Sequence, residues 1–353
     1  MNNCLYVVDK KYSALWIVAN SRVKLFGGEI VICDQFSSLG RLLDFILNSE
    51  EKFVLFCWRR SLEDLLKLKS IRYKVNELYS KKNILVLIPD YLGLSIDFIE
   101  SEKKLLEMCH YYYVTNLQLF SHYCNLLPDK KPLGVLHDLP DIQLINKVRQ
   151  RVNKPKFSEK PKVIWIGNSK WGSRQGVKDH KGYLRIVAPL IQFASTHNHC
   201  CEIEVIDSNS KLIVHEELLR KIRISDVLIQ TSLSEGTGLP ILEALGLGTN
   251  VITTPVGIAT EVFTETDSVN ISESNAPSFH SKIHLLHQNT KNDKREEIYE
   301  RYISRIIPEN VLKFETEYTI NLDRFPPQSI SIRIRFFWWF RFIKLVFKKF
   351  KTI

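Results

Sequence analysis

Residues Ser232–Gly248 of this chain read SLSEGTGLPILEALGLG and follow an apolar run, Val227–Thr231. That run has the length and the β-branched content typical of a buried strand. Gly236 and Gly238 come next, where the lack of a Cβ lets the backbone approach a ligand closely. Pro240 suits the first position of a helix, because its missing N–H costs nothing there. The segment therefore predicts a strand, a glycine-containing loop and a short helix.

The N-terminus of such a helix suits a diphosphate, since it presents N–H groups and a partial positive charge. Glu243 stands among apolar residues of the same helix, and a buried carboxylate needs a partner. Two neighbouring ribose hydroxyls are a suitable one. Glu235 lies eight positions earlier, on the loop, and is expected to reach a different part of the same ligand. The alternative is a plain Gly-Pro turn with two solvated glutamates.

Short β-rich runs alternate with longer helical patterns on both sides of this segment, which indicates parallel sheets covered on both faces. The predicted strands are Cys4–Val8, Glu29–Cys33, Phe53–Cys57, Ile84–Pro89, Tyr111–Val114, Val163–Gly167, Glu202–Ile206, Val227–Thr231 and Asn250–Thr254. The predicted helices are Ala14–Leu25, Leu39–Leu47, Leu62–Leu78, Asp97–Met108, Tyr183–Ala194, Leu212–Ile222, Pro240–Leu247 and Phe279–His287.

A chain of 353 residues suits two domains of about 150 residues each. The Pro-, Lys- and Asp-rich stretch 129–162 separates the two βα patterns and has room for one short helix. We therefore expect an α/β protein with a first domain over 1–135, a linker over 136–160, a second domain over 161–322 and a tail over 323–353. Ligands of open α/β sheets bind at the carboxyl ends of the strands, which predicts a cleft between the domains.

The pattern E-G-x-G-x-P-x-x-E-A over Glu235–Ala244 resembles the signature of the retaining glycosyltransferases of family 4, which have the GT-B fold. The next stretch, NVITTPVGIATE over Asn250–Glu261, is similar to that family's following strand and glycine turn. Upstream, Val163–Gly167 resembles its strand ending in Gly-Arg, and Lys181-Gly182 resembles its Lys-Gly pair. The resemblance covers roughly residues 161–263.

The resemblance implies a donor site for a nucleotide-sugar. It implies that Lys181 contacts the diphosphate, that Glu235 contacts the transferred sugar and that Glu243 binds the ribose. Lys181 and Glu235 would then be the catalytic residues. The other residues expected to contact the donor are Gly167, Gly236, Thr237, Gly238 and Leu239. At the family's arginine this chain has Asn168, so we expect Lys170 or Arg174 to substitute, unless both are ordinary loop charges.

The N-terminal half matches the family poorly. No glycine follows the first strand, and Asp90 stands where the family often has a histidine near the sugar. Asp90 is expected to face the acceptor or the donor sugar, or else to be a plain turn residue. His137 and Asp138 border the predicted cleft, with an ordinary loop role as the alternative.

No Asp-x-Asp triplet is present in the sequence. Nucleotide-sugar enzymes of the other large fold use that triplet to hold a divalent metal on the diphosphate. Without it, Lys181 and helix N–H groups must offset the phosphate charge. The resemblance thus implies metal-independent transfer of a sugar with retention of its anomeric configuration, with no cofactor other than the donor substrate.

The net charge of +10 is concentrated at the C-terminus. From Phe325 to Ile353 there are seven cations and no acid, and the remaining residues carry only +3. This distribution argues against nucleic acid as a partner. The tail Phe336–Phe350 is both aromatic and basic, which is typical of a helix lying in the interface of an anionic membrane. Packing of this tail on the first domain is the alternative.

Composition places the chain among soluble globular proteins, with 44% hydrophobic and 25% charged residues. No uncharged apolar run reaches the roughly 20 residues needed to span a bilayer. The N-terminus does not resemble a signal peptide, and the seven cysteines show no metal-ligand spacing. We expect reduced, mostly buried thiols in a cytoplasmic protein held at the inner face of the membrane through residues 333–353.

The leading hypothesis is a glycosyltransferase of the hexosyltransferase type (EC 2.4) that extends a glycan for lipopolysaccharide or capsule. We expect this glycan acceptor to be lipid-linked. A non-catalytic partner of a glycan-assembly complex, with the same fold, is the second hypothesis, because the family's arginine is missing. A sugar-nucleotide epimerase or a phosphorylase on this fold also remains open.

Overall fold

The computed structural model describes residues 4–66, 72–90, 96–155, 160–173, 176–196, 201–211, 213–263, 271–288 and 297–305. Two sequence predictions lie outside these ranges, namely Arg174 as a phosphate contact and the basic aromatic helix of the C-terminal tail.

Six parallel strands form the first sheet, in the order β2-β1-β3-β4-β5-β6. The strands are β1 (Cys4–Val8), β2 (Glu29–Ile32), β3 (Phe53–Phe56), β4 (Asn83–Ile88), β5 (Tyr111–Val114) and β6 (Gly134–Val135). The helices between them are α1 (Ala14–Phe26), α2 (Leu39–Asn48), α3 (Arg59–Leu66), α4 (Arg72–Lys81), α5 (Ile96–Met108) and α6 (Leu117–Leu126).

Polar caps start three of these helices. The side chains of Ser13, Ser38 and Asn116 accept hydrogen bonds from backbone N–H groups in the first turns of α1, α2 and α6. Each cap satisfies one of the donors that a helix start leaves without an intrahelical partner. These local interactions fix where the helices begin at the carboxyl ends of the strands.

Four parallel strands form the second sheet, in the order β10-β9-β7-β8. The strands are β7 (Lys162–Gly167), β8 (Glu202–Asp207), β9 (Val227–Gln230) and β10 (Asn250–Thr253). The helices are α7 (Ile142–Arg151), α8 (Ala188–Thr196), α9 (His215–Ile224), α10 (Leu239–Gly246), α11 (Ala259–Val262) and α12 (Ala276–Gln288), with a π-helical turn over Tyr183–Val187 before α8. Residues 297–305 are also helical.

Both sheets bury apolar side chains on both faces. In β1, Leu5 and Val7 belong to one buried cluster, and Tyr6 and Val8 belong to another on the opposite side. In β7, Ile164 and Trp165 likewise enter different clusters. Successive strand residues point to opposite faces, so two cores require apolar residues at every position. This explains the continuous apolar runs of the sequence.

The predicted architecture, two α/β domains with parallel sheets, is confirmed. The helix predicted over Leu62–Leu78 is described instead as α3 and α4, with residues 67–71 outside the described ranges. The sequence interpretation missed α6, α11, the helical residues 297–305 and the two-residue strand β6, which is too short to show any periodicity. Helix α7 falls in the segment interpreted as a linker, and Ile145 and Val148 of this helix join the core of the second sheet.

Contacts between the domains bring the carboxyl ends of the two sheets together. The residues after β4, β5 and β6 touch the loops after β9 and β10. The closed cleft between them is the crevice in which ligands of open α/β sheets bind.

Cysteines in the described ranges are free thiols. Burial raises the pKa of Cys4 to about 12 and that of Cys109 to about 11, so both stay protonated and unreactive at neutral pH. Cys33 and Cys124 are only half-buried. Within the described ranges, no helix combines the length and the apolar character needed to cross a membrane.

Candidate active site

The loop after β9 leads directly into α10, as the sequence predicted. Gly238 caps the helix in a left-handed conformation with φ of 79°, which favours glycine. The helix begins at Leu239, so Pro240 is one position further into the first turn than the sequence suggested. The N-terminal end of α10 therefore follows closely on the loop residues Glu235 and Gly236, whose carbonyls contact the first domain.

Lys181 and Glu235 meet at this loop and form an ion pair. The Lys181 carbonyl accepts a hydrogen bond of 2.6 Å from the Thr231 hydroxyl. Gly182 has φ of 70°, and a Cβ there would lie 2.1 Å from the Thr231 carbonyl oxygen. A glycine after Lys181 is thus required for the lysine to lie against the end of β9.

The Glu235 carboxylate has several partners besides Lys181. The Gln230 side-chain amide donates to Oε1 at 2.7 Å, and the Ser232 hydroxyl donates to the same oxygen. Burial alone raises the pKa of Glu235, but the Lys181 charge and the hydrogen bonds from Lys181 and Ser232 outweigh it and lower the pKa. Glu235 is therefore an ionised carboxylate fixed next to a cation.

Gly236 provides the closest approach between the domains. A Cβ on Gly236 would lie 1.6 Å from the Pro89 carbonyl oxygen at the end of β4. The Asn116 side-chain amide, at the start of α6, donates to the carbonyls of Glu235 and Gly236. Gly236 was expected to let a ligand approach the backbone closely, and in the structure it lets the first domain approach closely as well.

Thr237 is engaged in a second contact between the domains. Its hydroxyl donates to Asp138 Oδ2 at 2.8 Å and accepts from the Asp138 N–H at 3.1 Å. Burial raises the pKa of Asp138, and the Arg22 guanidinium, whose Nη2 lies 3.8 Å from Oδ1, partly offsets this. The Thr237 side chain therefore joins the domains, and its carbonyl accepts the Ile258 N–H at 3.1 Å, so the predicted donor contact falls to its N–H.

Glu243 lies within α10 and is buried, with only 4% of its side chain exposed. His215, the first residue of α9, contacts it through Nε2 at 2.7 Å from Oε1. Burial alone lowers the pKa of His215, but the Glu243 carboxylate outweighs burial and raises it. The sequence interpretation correctly required a partner for Glu243 but missed the histidine, because nothing in the sequence links positions 28 residues apart.

The first domain contributes charged groups at the same edge. Asp90 follows β4 and lies 3.5 Å from Arg59 Nη1, while Arg59 Nε lies 3.0 Å from Glu102 Oε1. The Tyr123 hydroxyl donates to that same Glu102 oxygen at 2.7 Å. His137, which was predicted to border the cleft, contacts Glu261 of the second domain at 2.9 Å.

The loop after β7 contains the predicted phosphate contacts Gly167 and Lys170. Gly167 ends β7, and a Cβ there would meet the Trp165 ring at 2.6 Å. Asn168, at the position of the family's arginine, accepts the Lys170 N–H at 3.0 Å through Oδ1. Lys170 is exposed, and within the part of the chain that the structure describes no hydrogen bond or ion pair joins its side chain to Lys181 or Glu235.

Groups of three or more His, Cys, Asp or Glu side chains that could hold a metal ion are absent from the described ranges. The charged centre of the site in these ranges is the Lys181–Glu235 pair beside α10. Such a site can offset the charge of an anionic group at Lys181 and accept hydrogen bonds from hydroxyls at the two glutamates.

Residues 211–304 match the family of glycosyl transferases group 1. This range includes α9, α10 and both glutamates of the site. No curated protein gives a significant match to the chain.

Solved structures share the whole two-domain architecture. HepE (Alr3699) of Anabaena, in complex with UDP and glucose, is 12% identical over 89% of this chain and 98% of its own, with a TM-score of 0.60. Trehalose-6-phosphate synthase OtsA is 9% identical over 92% and 99% of the two chains, with a TM-score of 0.62. Sucrose-phosphate synthase of Thermosynechococcus elongatus is 12% identical over 88% and 97%, with a TM-score of 0.59.

Identities this low establish similarity of fold alone, and the fold is GT-B. The family match and the fold together support a glycosyltransferase (EC 2.4).

Proposed function

We propose that this chain transfers a sugar from a nucleotide-sugar donor to a glycan acceptor, with retention of the anomeric configuration and without a metal. The observation that carries the proposal is the Lys181–Glu235 pair, held beside the N-terminus of α10 in the interdomain cleft. The nucleotide and sugar bound by HepE agree with a donor of this class.

In the proposed reaction the bond between the anomeric carbon and the diphosphate oxygen breaks. The acceptor oxygen bonds to the same face of the sugar, and its proton passes to the departing phosphate. Lys181 and the N–H groups of residues 236–239 offset the charge that develops on the diphosphate. Glu235 holds the transferred sugar, and Glu243 holds the ribose.

Thermal stabilisation by a panel of nucleotides and nucleotide-sugars tests the donor site, with Glu243→Ala measured in parallel. A ligand at 100 times its Kd adds about 2.7 kcal/mol to the stability of the folded state. We expect one nucleotide family to stabilise the wild type and to lose this effect in Glu243→Ala. If no nucleotide shifts either protein, the non-catalytic alternative becomes the better interpretation.

Two product measurements test the mechanism separately from binding. The anomeric configuration of the new linkage, read from NMR coupling constants, should match that of the donor. Transfer should continue at the same rate in the presence of a chelator. An inverted linkage would contradict retention and leave the donor site intact, whereas loss of activity with the chelator would contradict metal independence.

We further propose that the acceptor is a lipid-linked glycan of a cell-surface polysaccharide, reached through the basic aromatic tail. The seven cations of the tail motivate this, since each one near an anionic surface adds about 1 kcal/mol of attraction. Deletion of residues 333–353 should release the protein from anionic liposomes in a flotation assay, while neutral liposomes bind neither form. Unchanged binding of the shortened chain would contradict the membrane role.

A further inference from the structure

The contact between His215 and Glu243 has no role in the proposed reaction as described so far. Glu243 is a buried carboxylate on α10, and His215 Nε2 lies 2.7 Å from its Oε1. The histidine side chain is 17% exposed, so it forms an edge of the site and not part of a sealed core. A carboxylate this buried is costly without such a donor.

The fold places His215 there through its connection to the sheet. The loop after β8 leaves the carboxyl end of the strand, and α9 begins at His215 with no side-chain cap from the preceding Val214. Helices α9 and α10 pack against each other and share a core. The histidine therefore reaches the carboxylate from the cleft end of α9.

Charged groups around the pair come from other elements. Asp141, the cap of α7, acts to raise the pKa of His215, and Lys24 of α1 acts to lower it. These two form an ion pair of 2.6 Å between Lys24 Nζ and Asp141 Oδ2, so their effects on the pKa of His215 oppose each other. Glu243 remains the dominant partner of the histidine.

We propose that His215 is a positioning residue that orients the Glu243 carboxylate toward the ribose 2′-hydroxyl of the donor nucleotide; this inference rests on the proposed function. A carboxylate offers about four acceptor sites on its two oxygens. The His215 N–H occupies one of them on Oε1. The remaining sites on Oε2 and Oε1 keep a fixed direction, and two neighbouring hydroxyls can donate to them.

The consequence is a substrate class. A carboxylate held in one direction binds a ligand with both hydroxyls more tightly. A ligand that lacks one hydroxyl leaves a buried acceptor of the carboxylate without a hydrogen-bond donor, which weakens binding. The site is thus specific for ribonucleotide donors over 2′-deoxyribonucleotide donors, and His215 is the residue that makes this specificity strict.

Calorimetric titration measures the effect. The probes are UDP, ADP, GDP and CDP, each paired with its 2′-deoxy form, added to the full-length wild type, His215→Ala and His215→Gln. We expect the wild type to bind at least one ribonucleotide about tenfold or more tightly than its 2′-deoxy form, as one hydrogen bond to a charged group provides. His215→Ala should bring that ratio close to one, and His215→Gln, whose amide also donates, should restore most of it.

The ratio separates a positioning role from a structural one, because lost packing weakens both nucleotides equally. An unchanged ratio in His215→Ala, or equal binding of both forms by the wild type, would overturn the proposal. Tighter ribonucleotide binding by His215→Ala would also overturn it, since His215 would then occupy the place of the ribose. If the wild type binds none of the four ribonucleotides, the proposed function itself is contradicted, and the inference with it.

Discussion

Gly182 and Gly236 are two of the glycines at which one backbone of the site runs directly against another. Gly182 faces the Thr231 carbonyl within its own domain, and Gly236 faces the Pro89 carbonyl of the other domain. In both cases the neighbouring atom is backbone, which does not move aside as a flexible side chain does. Gly182 and Gly236 are therefore required by the packing of the protein itself.

Substitution of Gly236 by alanine should weaken the closed arrangement of the two domains. The new Cβ would lie 1.6 Å from the Pro89 oxygen, so the loop or the whole domain must shift. We expect a loss of several kcal/mol in the free energy of unfolding or an open cleft with weaker nucleotide binding, as for other overpacked sites. Urea denaturation and calorimetric titration measure the two quantities.

Gly40 of α2 is the matched control. The nearest atom to an added Cβ there is Ser38 Oγ at 3.7 Å, and the backbone is helical. Gly40→Ala should raise the free energy of unfolding by about 0.4–1 kcal/mol without changing nucleotide affinity. Equal behaviour of the two alanine variants would contradict the role assigned to Gly236.

At the scale of the element, polar side chains fasten strands and helices at places the apolar pattern does not reach. His110 lies between α5 and β5, and its Nδ1 accepts a hydrogen bond of 3.0 Å from the Ile84 N–H of β4. Burial first, and then the nearby Lys130 charge, lower the pKa of His110 to about 4. The imidazole of His110 is thus neutral in the native state, in which it accepts a hydrogen bond from β4.

This shifted pKa gives stability a definite dependence on pH. The unfolded chain binds a proton at His110 near pH 6.5, whereas the native state does so only near pH 4. The contribution of the neutral His110 to the free energy of unfolding is fully present above pH 6.5. It is lost as the pH falls from 6.5 to 4, by up to about 3 kcal/mol. Urea denaturation at several pH values measures the slope.

His110→Asn separates this residue from the other titrating groups. The asparagine oxygen can still accept the Ile84 N–H but does not titrate. The variant should have a flatter stability profile between pH 6.5 and 4 than the wild type. If both proteins lose stability in parallel over that range, His110 is not the source of the pH dependence.

At the scale of the whole molecule, Glu261 joins the two domains beside the cleft. Its Oε1 accepts the Leu117 N–H at the start of α6 at 2.9 Å, and its Oε2 lies 2.9 Å from His137 Nε2. The Glu261 side chain thus lies against the N-terminus of a helix in the other domain, where the helix dipole favours a negative charge. The contacts of Glu261 that close the cleft therefore lie on the same side of the molecule as the loop proposed to bind the donor.

Substitution of Glu261 by alanine should favour an open cleft. The variant leaves the α6 N-terminus and His137 without their shared partner, at a cost of about 1–3 kcal/mol. We expect a larger radius of gyration by small-angle X-ray scattering and weaker donor binding. Glu107→Ala, which removes an exposed glutamate of α5, is the control and should leave both unchanged. A radius of gyration equal to that of the wild type would show that other contacts alone keep the domains closed.

Local patterns of the sequence predicted most of the secondary structure. The bounds of β1, β5 and α5 agree with the prediction within one residue. Continuous apolar runs indicate doubly covered strands, and the loop before α10 has the residues its backbone requires. These are properties of neighbouring residues, so the sequence carries them directly. Among the elements that were missed, α6 has few buried residues, and β6 and α11 have few residues at all.

Local sequence patterns thus specify the two parallel-sheet domains, the loop that carries Glu235 and the helix α10 that carries Glu243. The partners of the site residues depend on tertiary packing: His215 contacts Glu243, Pro89 faces Gly236 and His137 contacts Glu261. Strand and helix periodicity arise from interactions between residues a few positions apart. Pairings across 28 to 147 positions depend instead on how whole elements pack, and no local pattern records that packing.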